Sequence, residues 1–85
     1  MNKMIFSEFL IQVDDCIKIK HAVQEAKELA KYGETRIALE NLLENIIEER
    51  VSLNANQIQL VKDSFEGSLT EYNKKLINSI ERLQM

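Results

Sequence analysis

Glu40, Glu44 and Glu48 recur at four-residue spacing, which on an α-helix stacks three carboxylates along one face. Such a stripe can hold a hard cation or meet a positively charged partner. The cation reading lacks support. Calcium sites draw on loop carbonyls and an Asp/Gly-rich turn, and di-iron bundles use Glu-x-x-His pairs. The chain has neither, nor a phosphate-cradling glycine loop. His21 is the only histidine, with no serine, cysteine or aspartate at a spacing that reads as a nucleophile–base pair. It is expected on a helix, exposed or half-buried. The single cysteine, Cys16, excludes an internal disulfide and a cysteine-based zinc site, and reads as a small buried hydrophobe. No enzyme, metal or cofactor is therefore expected, and the stripe reads as a contact surface. Asn41, Asn45 and Glu49 accompany it, with Tyr32 just upstream. Tyr32 and Tyr72 suit an interface, although a partly buried amphipathic position is the commoner place for such residues.

The charge distribution sharpens this view. Residues 1–33 hold five basic and five acidic side chains, and residues 52–85 hold four of each. Residues 34–51 carry five glutamates against Arg36 and Arg50, which accounts for the whole net charge of −3. Glu40–Glu44 and Glu44–Glu48 are like-charge pairs that each cost a helix about 0.2–0.5 kcal/mol. A purely structural helix would gain from a lysine at one of them. The balance argues against nucleic-acid binding, which calls for a basic patch.

The elements that position these side chains read as helices throughout. Phe6, Phe9, Leu10, Val13 and Ile17, and then Ala22 or Val23, Ala26, Leu29 and Ala30, follow three- and four-residue spacing. These runs form one long helix or two. A slip in phase between Ile17 and Ala22 favours a break near Asp14-Asp15, where an aspartate could cap the second helix. Gly33 ends that segment. Thr35 to Arg50 forms the next helix, its apolar face made by Ile37 or Ala38, Leu39, Leu42, Leu43, Ile46 and Ile47. Glu40, Asn41, Glu44, Asn45 and Glu48 then face solvent. After the extended Val51-Ser52-Leu53, Asn54 and Gln57 form a capping-box pattern, opening a helix through Phe65 that Gly67 closes. Ser68 and Glu71 offer a second box before Leu69, Tyr72, Leu76, Ile77, Ile80 and Leu83.

The expected fold is all-α, a single domain over residues 1–85 built as a compact antiparallel bundle of four to five helices. No apolar run approaches the roughly 20 residues that span a bilayer. Residues 1–13 lack the features of a signal peptide, because Glu8 and Gln12 interrupt the apolar run. A cytoplasmic protein without membrane or nucleic-acid partners is expected.

Residues 23–65 resemble the MafI family of bacterial immunity proteins. The matching positions are Ala26 and Leu29, then Gly33-Glu34, Ala38-Leu39-Glu40-Asn41-Leu42 and Glu48 or Glu49. The Val51-Ser52-Leu53 connector and Ile58, Leu60 and Val61 follow. The match covers about half the chain and leaves the N-terminal segment through Lys20 without a counterpart. The resemblance implies a small helical, non-enzymatic protein. Such a protein neutralises the C-terminal domain of a secreted or contact-delivered toxin, with a 1:1 complex expected; several of those domains are ribonucleases, the EndoU type among them. A homodimer is also compatible. The other class left open is a helical adaptor or oligomerisation module without a toxin partner.

Overall fold

A computed structural model describes residues 1–84. Five α-helices follow one another: α1 Lys3–Val13, α2 Lys20–Lys31, α3 Thr35–Glu48, α4 Ala55–Ser64 and α5 Glu71–Leu83. A 3-10 turn, Ile17–Ile19, precedes α2. The Cα radius of gyration is 11.4 Å, close to the roughly 12 Å of a compact chain this long. The all-α bundle expected from periodicity is the observed fold. Among the described residues no helix is long and apolar enough to cross a membrane.

Two antiparallel pairs build the bundle. α1 packs on α4, and the Asn2 N–H donates to the Ser64 carbonyl at 2.9 Å, joining the start of one to the end of the other. α2 and α3 form a hairpin around Gly33. α5 closes the structure against α3 and α4. α3 is the hub, touching α1, α2, α5 and the 3-10 turn. Its Ala38, Leu39, Leu42, Leu43 and Ile46 are fully buried and meet Phe6, Phe9, Val23, Phe65 and Ile80 in one core.

Local signals explain most boundaries. At the end of α2, the Glu34 N–H donates to the Leu29 carbonyl and the Gly33 N–H to the Ala30 carbonyl, each at 3.0 Å. This is a Schellman closure, and it requires the φ of +81° that Gly33 adopts. The Asn54 and Gln57 capping box is present with both reciprocal bonds. The break after α1 is also present, so residues 1–32 form two helices.

Several expectations are corrected. Neither Asp14 nor Asp15 caps α2. Its N-cap is Ile19, without a side-chain bond, and Asp14 instead pairs with Lys27 at 2.6 Å. Ile17 does not join the α1 stripe. The 3-10 turn rotates it outward, to 88 % exposure, and buries Ile19 in its place. Cys16 is half-buried at the core edge. α3 ends at Glu48 rather than Arg50, because the Arg50 N–H donates to Ile47 and the Val51 N–H to Ile46. This second Schellman closure has Arg50 at φ +54° where glycine would be usual. Ile37 points outward while Ala38 takes the buried position. The cap of α5 is Thr70, whose Oγ1 accepts from the Asn73 N–H. Ser68 belongs to the preceding turn, its N–H donating to the Phe65 carbonyl across Gly67, which leaves Leu69 exposed ahead of the helix.

Candidate functional site

With one side of α3 committed to the core, the 3.6-residue period places Ile37, Asn41, Glu44 and Glu48 along the opposite line. All four are exposed. Glu49 follows at the helix end, also exposed. Tyr32, at the C-cap of α2, stands beside Gly33 at the turn of the same hairpin with 79 % of its surface open to solvent. Backbone hydrogen bonds fix the main chain of Tyr32 at this turn, and its ring stays open to solvent. It is suited to insertion into a partner's pocket.

Glu40 and Asn45 do not take the solvent-facing role expected of them. The Glu40 side chain is only 13 % exposed, and its carboxylate accepts from Arg36 Nη1 at 3.4 Å. Arg36 thereby supplies the opposite charge that the like-charge spacing lacks, and Glu40 adds little to the outward field. Asn45 is half-buried, and its Nδ2 donates to the Asn41 carbonyl one turn back at 3.0 Å. Glu44 accepts a hydrogen bond from the Tyr72 hydroxyl, which reaches across from the start of α5. Tyr72 therefore belongs to this surface as the clasp that orients Glu44. Among the described residues, Glu44, Glu48 and Glu49 make no ion pair with a lysine or arginine.

The surface therefore comprises Tyr32, Ile37, Asn41, Glu44, Glu48 and Glu49, edged by Tyr72. Ile37 is the residue that sequence reasoning missed. The signal for it was available in the spacing 37, 41, 44, 48, the complement of the buried positions. The arrangement offers carboxylates, one amide and two apolar side chains on a rigid helix. It is a set for electrostatic and apolar contact, with no nucleophile or base placed to react.

No other place in the described residues gathers a reactive set. His21 is exposed on α2. No group of three or more histidine, cysteine, aspartate or glutamate side chains converges there as a metal site would require. One open hollow of about 240 Å³ lies between α4 and α5, lined by Lys62, Leu69, Lys74, Ile77, Asn78 and Glu81. Its charged side chains are paired, Lys62 with Glu81 at 2.9 Å and Lys74 with Glu71 at 3.7 Å. Comparison with known proteins finds no matching family model, curated protein or solved structure.

Proposed function

We propose that this chain is an immunity protein. It binds the C-terminal domain of a secreted or contact-delivered bacterial toxin, a ribonuclease such as one of the EndoU type, and holds it inactive in the cytoplasm of the producing cell. The observation that carries the reading is the outer line of α3. It presents Glu44, Glu48 and Glu49 toward the helix end, uncompensated by cations among the described residues, with the exposed Tyr32 at the turn that opens the same helix. The resemblance of Gly33-Glu34 and Ala38 to Leu42 to the MafI pattern supports it independently of charge.

A ribonuclease cleft is basic because it holds phosphates. An acidic helix is attracted to the same field and competes with RNA for it. Complementary charge mainly accelerates association and discriminates among partners, which suits a protein that must capture a toxin before the toxin finds its substrate. Tyr32 and Ile37 provide the apolar contact that slows dissociation, since exposed charge alone contributes little to affinity.

The test reads the neighbouring open reading frame for a secreted toxin and co-expresses its C-terminal domain with this chain. Restored growth and a 1:1 complex on co-purification are expected. Continued growth arrest with abundant folded protein would overturn the reading.

A further inference from the structure

Glu44 differs from the other carboxylates of α3 in being both uncompensated and held. Arg36 offsets Glu40. Among the described residues neither Glu48 nor Glu49 has a side-chain hydrogen-bond partner, so nothing fixes where their charges point. Glu44 has no lysine or arginine against it, yet its Oε2 accepts from the Tyr72 hydroxyl.

The turn that carries Tyr72 is itself anchored. Thr70 Oγ1 accepts from the Asn73 N–H at 3.1 Å and caps α5. Asn73, the next residue, is fully buried, and its Nδ2 donates to the Ser68 carbonyl at 3.0 Å. Leu76 and Ile77, one turn further on, are buried. The hydroxyl therefore reaches from a fixed first turn of α5 to a point near the middle of the outer line of α3. A free glutamate side chain samples several rotamers, and freezing a side chain of this kind on binding costs a factor of about 2 to 10 in affinity. A carboxylate already held in the free protein escapes most of that cost. The phenol brings no formal charge, so the long-range attraction that sets the association rate is untouched.

We propose that Tyr72 is a positioning residue for the toxin contact, holding Glu44 in its binding rotamer and making Glu44, rather than Glu48 or Glu49, the centre of that contact. The inference rests on the toxin reading and adds which carboxylate dominates and why.

The test measures association and dissociation rates of the full chain with the toxin domain against which it rescues growth in co-expression. Tyr72→Phe, which keeps the ring, should raise the dissociation rate about 2- to 10-fold and leave the association rate unchanged. In a Glu44→Ala background the same substitution should do nothing, because the group it positions is gone. Glu44→Ala should weaken the complex more than Glu48→Ala or Glu49→Ala. In the free protein, side-chain scalar couplings of Glu44 should report one dominant rotamer in the wild type and averaging in Tyr72→Phe. A complex whose dissociation Tyr72→Phe leaves unchanged or slows, or speeds equally with and without Glu44, would overturn this inference alone. Absence of any wild-type complex would overturn the toxin reading and this inference together.

Discussion

Replacing Arg50 by glycine should stabilise the protein, although it deletes a charged side chain and touches no core residue. Arg50 occupies the left-handed position of the closure that ends α3, at φ +54°. An L-residue pays about 1–2 kcal/mol for that conformation, whereas glycine adopts it freely. Glycine also loosens the unfolded chain, which returns about 0.4–1 kcal/mol of the gain. The net is about 0.5–1 kcal/mol of stabilisation, and for a domain of this size the melting temperature rises by roughly 2–8 °C. The equivalent closure of α2 supplies the mirror experiment. A Cβ added to Gly33 meets nothing within 4 Å, so Gly33→Ala carries only the backbone cost and should lower stability by about the same amount. Thermal melts followed by circular dichroism, with Arg50→Ala as the comparator, separate backbone from charge. Alanine removes the same guanidinium and keeps the left-handed cost. Equal melting temperatures for Arg50→Ala and Arg50→Gly would refute the reasoning.

Two further substitutions probe the packing that holds α3 in position. Leu43 is fully buried in the hub helix, and Leu43→Ala should cost about 2–5 kcal/mol, a large part of the roughly 4–13 kcal/mol available to a domain of this length; urea titration reads the loss as a lower midpoint. Asn73 is buried, and its Nδ2 donates to the Ser68 carbonyl at 3.0 Å while its Oδ1 has no partner. Asn73→Ala strands the Ser68 carbonyl and should lower stability by about 1–3 kcal/mol, and faster hydrogen exchange in the 65–73 turn would accompany it.

The parts of the fold legible in the chain are those decided within a few residues. Gly33 announces its own turn, and Asn54 with Gln57 satisfies two helix-end donors from side chains alone, so both read correctly without tertiary information. The slip in apolar phase between Ile17 and Ala22 marked the break between α1 and α2. It could not show that Asp14 would reach Lys27 on α2 rather than a cap. Ser68 with Glu71 read as the cap of α5, but the Gly67 turn engages the Ser68 backbone and Thr70 caps the helix instead. Arg50 carries no local mark of a left-handed residue, so α3 read two residues too long. The same division holds at the surface. Four-residue spacing correctly put Glu40, Glu44 and Glu48 on one side of a helix. Where α5 would lie, and hence that Tyr72 would clasp Glu44, depended on contacts between residues 28 positions apart. The near-complete cover over Glu40 was equally invisible to a one-helix projection.

The central claim is that the outer line of α3 meets a basic ribonuclease surface. Stopped-flow association of this protein with the toxin domain against which it rescues growth in co-expression, measured across ionic strength, tests it most directly. Charge reversal in Glu44→Lys with Glu48→Lys should slow association on the order of 10-fold or more at low salt. The two proteins should converge as salt approaches about 1 M, where the screening length shrinks to about 3 Å. Association rates that match at every salt concentration, with both proteins folded and the wild-type complex formed, would contradict the account.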